Sequence, residues 1–276
     1  MTNKESLSNV NIIIATRKRL GFATDAMYLP LQVGASLSTN GDIGYAGDDT
    51  GENISYLNGR FCELTGLYWA WKNLSANYIG LVHYRRLFAM KSNDGYRNAS
   101  MLSYEDISPL LGKIRVFVPE KRRYYIETLY SHYKHTHYAE QLEETGRIIE
   151  ERCPEFSGFF NKVINRRWGY MFNMFIMNRE LLDEYCSWLF DILFVLKDRI
   201  GEEKENKLSP YQRRLYGRIS EIIFNVWLEK KLSCGELNKD EVMELPVIMI
   251  GKVNWIHKIK SFLLAKYAGI KYEASF

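Results

Sequence analysis

Cysteine is scarce and dispersed in this 276-residue chain: Cys62, Cys153, Cys186 and Cys234 form no Cys-x-x-Cys pair. No disulfide framework is offered, and buried free thiols in a reducing cytoplasm are expected. Long apolar runs are missing too, and none approaches the roughly 20 residues that cross a bilayer. The opening MTNKESLSNV is polar, without the apolar core of a signal peptide. The expected location is the cytoplasm, with contact at most at the inner face of the membrane. Neither charge sign dominates. Lys and Arg number 37 against 33 Asp and Glu, a net of +4, which does not argue for nucleic acid as a partner. No strand carries the aromatic-plus-basic repeat that grips single strands by stacking. What is abundant is aromatic: 14% of residues, with 19 Tyr and 6 Trp, enough for the core of one large α/β domain or two small ones.

The most informative stretch is residues 78–86, YIGLVHYRR. Tyr78–Val82 is a short apolar run without polar alternation, the pattern of a strand buried in a parallel sheet. It changes abruptly to His83-Tyr84-Arg85-Arg86. Ligands in open α/β sheets bind beyond the carboxyl ends of the strands, so one imidazole and two guanidiniums there are aimed at an anion. A guanidinium fork matches phosphate oxygens in pairs. The plain alternative is a solvated edge with both arginines ion-paired.

Other segments read in the same way. Residues 10–15, VNIIIA, form a strand that leads into the basic turn Thr16-Arg17-Lys18-Arg19. Residues 27–37, broken by Pro30 and Gly34, read as a loop with short extended pieces. The Gly-, Asp- and Asn-rich stretch 41–55 is a long loop, whose Asp48, Asp49 and Glu52 are suited to a ribose, a sugar hydroxyl or a cation, or to local turn bonds. Residues 61–74 have helical periodicity, with Glu63 in the first turn where the dipole favours an acid. Residues 90–103 read as an irregular loop, 104–111 as a short helix and 114–118 as a strand. A helical stretch follows over 124–152, with a break near His137. His132 and His135 are three residues apart, but no carboxylate stands at ligand spacing. A metal site competes there with a Tyr- and His-rich acceptor surface. After a helix over 155–166, residues 171–177 read as a strand whose one polar residue, Asn173, needs a partner in a neighbouring loop or a substrate hydroxyl. Helices are expected over 180–197 and from Ser209-Pro210 to Leu232, a charged turn over 202–207, and a strand over 246–250. Residues 254–272 read as a basic amphipathic helix with Trp255, Ile259, Phe262, Leu263 and Tyr267 on one face, suited to an anionic membrane surface or to packing on the domain.

Three long segments carry a further signal: GDDTGENIS, CELTGLYWAWKNLSANYIGLVHYRRLF, and NRRWGYMFNMFIMNRE followed by ISEIIFNVWLEKK. Together, in this order over residues 10–232, they resemble a bacterial capsular and exopolysaccharide biosynthesis family, long catalogued as a domain of unknown function. Its members are treated as galactofuranosyltransferase-type glycosyltransferases. The resemblance implies an α/β, GT-A-like single domain over 1–250, with a mostly parallel sheet flanked by helices and a helical C-terminal part, followed by the tail helix at 251–276. It implies a UDP-sugar donor, most readily UDP-galactofuranose, and a glycan or lipid-linked glycan acceptor of a capsular, exopolysaccharide or O-antigen pathway. Inversion is expected; retention with a pyranosyl donor, or a non-catalytic glycan- or nucleic-acid-binding protein, is the alternative.

On that reading Thr16, Arg17, Asp48, Asp49, Asn53, His83, Arg85 and Arg86 hold the donor and its diphosphate. Glu63, Arg167, Trp168 and Asn173 contact the acceptor or sugar. Glu221, with His83, is catalytic: an inverting transfer needs a base for the acceptor hydroxyl. Many GT-A enzymes place an Asp-x-Asp with a divalent cation where this chain has His83-Tyr84-Arg85-Arg86. No cofactor is therefore required, because cationic side chains can neutralise the leaving diphosphate; Asp48 and Asp49 are the residues through which Mn²⁺ or Mg²⁺ would enter.

Overall fold

The structure is a computed structural model that describes residues 9–273, apart from 23, 40, 42, 93, 94 and 252–254. The strands are β1 (Val10–Thr16), β2 (Tyr28–Gln32), β3 (Ala46–Gly47), β4 (Tyr78–His83), β5 (Arg86–Ser92), β6 (Gly95–Met101), β7 (Val116–Pro119), β8 (Arg122–Arg123), β9 (Trp168–Gly169), β10 (Phe175–Asn178), β11 (Val242–Leu245) and β12 (Val247–Met249). The α-helices are α1 (Asn58–Phe61), α2 (Leu64–Asn73), α3 (Tyr104–Ile107), α4 (Leu129–Thr136), α5 (Ala139–Arg152), α6 (Ser157–Ile164), α7 (Arg179–Ile200), α8 (Glu202–Asn206), α9 (Leu215–Ser233) and α10 (Trp255–Ala268). They gather into two compact units. The first comprises Met1–Glu120, Phe172–Cys186 and Leu237–Gly251; the second comprises Lys121–Met171, Ser187–Glu236 and Lys252–Phe276.

The first unit holds the main sheet, in the order β11-β7-β10-β4-β1-β2-β3. Strands β1, β2, β3 and β4 run parallel, and β11 runs parallel to β7. Only β10 is reversed along this path, antiparallel to both β4 and β7. The unbroken apolar runs of β1 and β4 are what a doubly covered parallel sheet requires: Ile12, Ile13, Ile14, Ile79, Leu81 and Val82 are all at 0% exposure. At Gly80 the neighbouring strands come so close that a Cβ would stand 2.9 Å from Ile176 Cγ1 and 3.0 Å from the Phe175 carbonyl oxygen. Gly66 plays the same part in α2, whose Cβ position lies 2.9 Å from Val33 Cγ1.

Several elements differ from the sequence expectation. Residues 28–32 form a regular strand despite Pro30. Pro30 pairs with Ile14 on one side only, and β3 joins at Leu31 and Gln32, so the missing N–H removes no ladder bond. The expected loop over 90–103 is largely the β5–β6 hairpin. The helix expected over 61–74 is broken at Cys62, which sits at φ 55 and ψ −130. Asn173 lies outside β10, in a turn where Phe172 and Asn173 have φ 78 and 50. In the second unit the break near His137 separates α4 from α5, and Ser209 caps the following turn through Gln212 N–H at 3.3 Å.

Candidate active site

The carboxyl edge of the parallel strands collects the polar residues. Ala15 of β1 is in register with His83 of β4, and Phe175 of β10 with Leu81. Thr16-Arg17-Lys18, His83–Arg86 and Phe172-Asn173 therefore leave the sheet side by side. His83 and Arg86 are paired across a tight turn made by Tyr84 and Arg85. The basic segment is thus a hairpin tip.

Three side chains converge here. His83 Nε2 lies 2.7 Å from the Phe172 carbonyl oxygen and 3.8 Å from Glu63 Oε1. Asn173 Nδ2 donates to Glu63 Oε1 at 2.6 Å. Glu63 and Asn173 are buried, at 8% and 4% exposure. A carbonyl only accepts, so Nε2 carries the proton, and in the neutral ring Nδ1 is left as an acceptor. The backbone that sets this up is unusual. Cys62, Phe172 and Asn173 all have left-handed φ, a conformation that costs non-glycine residues about 1 kcal/mol or more each and that gathers at functional sites. The turn at Cys62 starts α2 afresh, with Glu63 as its N-cap residue; the turn at Phe172 aims a carbonyl at the imidazole.

Cations surround the node. Lys18 Nζ and the Arg85 guanidinium lie 5.0 and 5.2 Å from the centre of the Tyr84 ring, and the Arg86 guanidinium 4.4 Å from that of Phe172. Aromatic faces attract such groups through the ring quadrupole. Arg17 is exposed, whereas Thr16 is buried and engaged locally: its hydroxyl donates to the Lys18 carbonyl at 2.7 Å and accepts from Lys18 N–H.

The 46–55 loop departs from expectation. Asp48 is fully buried and accepts from Gly34 N–H, Ala35 N–H, Ser55 Oγ and Thr65 Oγ1 at 2.5–3.0 Å. With both oxygens occupied, Asp48 is an internal tether and has no surface to offer a sugar or a cation. Asn53 closes its own turn, donating to the Gly51 carbonyl and accepting from Ser55 N–H. Glu52 accepts from the Tyr68 hydroxyl at 2.9 Å, and that bond leads the interactions that hold its carboxyl below the usual range. Asp49 remains exposed.

The second unit contains the other expected residues. Arg167 and Trp168 lie on and beside β9, which pairs with β8. Arg167 is exposed, with Nη1 donating to the Tyr125 carbonyl at 3.1 Å. Trp168 packs under two cations, Arg166 at 4.3 Å and Lys121 at 4.9 Å. Asn225 locks this segment to α9, its amide accepting from Tyr170 N–H and donating to the Tyr170 carbonyl at 2.8 and 2.9 Å. Its Nδ2 also donates to the carbonyl of Glu221, one turn earlier. Glu221 is half-buried. Burial, with the Glu221 and Glu127 carboxylates nearby, pushes the Tyr124 phenol up to about 12 against the pull of Arg122. The carboxylate that spacing did not offer to His132 and His135 is Glu127: it is 3% exposed and lies 2.8 and 2.7 Å from their Nδ1 atoms. Burial pushes the Glu127 carboxyl up, but the two imidazoles outweigh it and hold it below the usual range. Among the described residues no group of three His, Cys, Asp or Glu side chains is arranged to hold a metal ion.

Sequence reasoning missed Asn225 and the carbonyl of Phe172, and it left Lys18 out of the site. Asn225 carried a usable signal, an amide inside the apolar run Ile222–Leu228. Phe172 carried none, because a main-chain acceptor leaves no mark in composition.

The family described as Domain of unknown function (DUF4422) matches residues 11–232. The chain belongs to that family. Among solved structures, the apo structure of WbbM, a bifunctional glycosyltransferase, matches with a TM-score of 0.78 and 31% identity, over 88% of this chain and 46% of that one. This DUF4422 chain therefore spans less than half of WbbM, and it shares the GT-A-like α/β fold, a mostly parallel central sheet flanked by helices. A search of curated proteins returns no match.

Proposed function

We propose that this DUF4422 protein is a glycosyltransferase that uses a nucleotide-sugar donor, with UDP-galactofuranose as the donor, inversion at the anomeric carbon, and a glycan or lipid-linked glycan of a surface polysaccharide as the acceptor. The observation that carries the reading is the basic carboxyl edge of β1 and β4 beside the His83–Glu63–Asn173 node, in which Glu63 and Asn173 are buried and Asn173 has a left-handed backbone. Transfer expels a nucleoside diphosphate, and fixed positive charge at the leaving group lowers the barrier. Arg17, Lys18, Arg85 and Arg86 are assigned to the diphosphate, with Asp49 and the 46–55 loop toward the nucleoside side. His83, oriented by Phe172 and Glu63, is assigned to accept a hydrogen bond at Nδ1 from a sugar hydroxyl of the donor substrate. In the second unit, Trp168 and Arg167 are assigned to the acceptor, and Glu221 to the base that removes the acceptor proton.

Calorimetry with UDP tests the donor half. Arg85→Ala and Arg86→Ala are each expected to weaken UDP binding roughly 10–100-fold, the loss of one charge-assisted hydrogen bond, with the melting temperature nearly unchanged. Unaltered affinity in both variants returns the arginines to a solvated edge. The acceptor half is tested by Glu221→Gln, which should cut turnover by about 10²–10⁴-fold while donor binding survives. Full turnover in that variant removes Glu221 from the mechanism. The anomeric configuration of the product, read by NMR, decides between inversion and retention.

A further inference from the structure

The exposed apolar side chains of the second unit are concentrated. Tyr125 and Ile126, in the turn before α4, are 77% and 62% exposed; Leu263, Leu264 and Tyr267 of α10, with Ile270 just beyond, range from 37% to 76%. The two stretches are stitched together. Phe262 stacks on His132 at 6.2 Å, and His132 lies 4.6 Å from Tyr124. Lys266 Nζ is 3.9 Å from Glu127, the Lys271 ammonium donates to the carbonyls of Lys134 and His137, and Tyr272 N–H donates to the Thr136 carbonyl. Helix α10 thus turns Ala265 inward, at 2% exposure, and presents Leu263, Leu264 and Tyr267 outward. This differs from the single stripe expected from spacing, in which Phe262 shared a face with Leu263. The side chains of Trp255, Lys258 and Ile259, and Asn254 altogether, lie outside the described residues.

Charge says what covers this surface. Residues 121–138 carry four Lys or Arg and one acid, and residues 255–273 carry four Lys and one acid. The acid of the first stretch, Glu127, is buried and engaged by two imidazoles. Arg123, Lys134 and Lys260 are exposed. Cores of protein–protein interfaces are depleted of lysine, and a second copy of the same face would bring like charges together. Tyrosine and leucine tips rimmed by lysine suit the headgroup layer of a membrane, where tyrosine favours the interface and lysine the anionic headgroups.

We infer that this face seats the second unit on a bilayer surface rich in anionic phospholipid. It enters to headgroup depth and does not cross, since no helix among the described residues is long and apolar enough to span. The inference rests on the second unit alone and stands whether or not the transferase reading does.

Flotation of the full chain with vesicles of phosphatidylcholine alone, and of phosphatidylcholine mixed with phosphatidylglycerol, tests it without any sugar nucleotide. Binding to the anionic vesicles is expected to be at least about tenfold stronger than to the neutral ones and to weaken as salt is added. Two double variants, Leu263→Ser with Tyr267→Ser and Lys134→Glu with Lys260→Glu, should each reduce it about tenfold or more, with melting temperature unchanged because every altered side chain is exposed. The inference is overturned if the folded wild type does not float, if both vesicle types bind equally, or if the serine variant instead abolishes a concentration-dependent self-association, which would assign the face to a second copy of the chain.

Discussion

At the scale of single residues, the site is held by a polar side chain in an unfavourable backbone conformation. Asn173 is at φ 50 and spends its amide on Glu63 at 2.6 Å. Asparagine is among the residues that tolerate the left-handed region, and glycine adopts it freely. Asn173→Gly therefore separates backbone from amide. Its stability should fall by about 1–3 kcal/mol, since glycine fits the backbone but leaves the buried Glu63 carboxylate without this hydrogen bond. Glu63, no longer anchored, should let His83 drift, and turnover should fall by an order of magnitude or more. Urea melts and single-turnover kinetics measure the two effects. Wild-type turnover in this variant would show that Glu63 and Asn173 serve only the fold. Little of this was legible beforehand. His83, Arg85 and Arg86 stood out because charge follows an apolar run, whereas the role of Glu63 depends on a partner 110 residues away, which no local pattern encodes. Asp48 misled for the same reason: an acid in a Gly- and Asn-rich loop looks like a ligand until the four donors around it are seen.

At the scale of elements, periodicity located most strands and helices, because burial on one or two faces is written directly into residue type. It failed where the backbone turns without a glycine, at Cys62 and at Phe172-Asn173, and where β5 and β6 pair through a polar stretch. The junction of α4 and α5 shows how an element end governs pH response. His137 is 6% exposed and bonded through Nδ1 to Gln212 Oε1 at 2.8 Å, while Gln212 Nε2 donates to the carbonyls of Thr136 and Tyr272. Burial, with Arg218 nearby, pushes the imidazole down to about 3. The unfolded chain takes up this proton near its ordinary value, so the contribution is complete above pH ~6.5 and declines as pH falls toward the folded value. The slope is about 1.4 kcal/mol per pH unit, or about 2 kcal/mol between pH 6.5 and 5. Denaturation at those two pH values should show a markedly smaller difference in His137→Gln than in the wild type. Equal differences would mean that His137 is protonated without cost.

At the scale of the whole molecule, the charge arrangement bears on how the proposed transfer would run without a metal ion. The net charge is only +4, yet Arg17, Lys18, Arg85 and Arg86 meet at one sheet edge. A divalent cation seated there would compete with guanidiniums for the same phosphate oxygens and be repelled by them. Transfer is accordingly expected to continue in excess chelator and to gain nothing from Mn²⁺ or Mg²⁺. Activity that disappears with chelator and returns with Mn²⁺ would overturn this and direct attention to Asp49 and Glu52. The reversed strand has a consequence of another kind, for the order of assembly. Strands β7 and β11 reach β4 only through β10, four residues that leave the ribosome long after β1 to β7. Until they arrive, β4 keeps an open edge along most of its length, the kind of edge that recruits stray strands. The same four residues bring Phe172 and Asn173 with them. A nascent or partly unfolded chain with β10 detached therefore lacks the hydrogen-bonded node as well as a continuous sheet, so the node forms only once β10 has docked on β4.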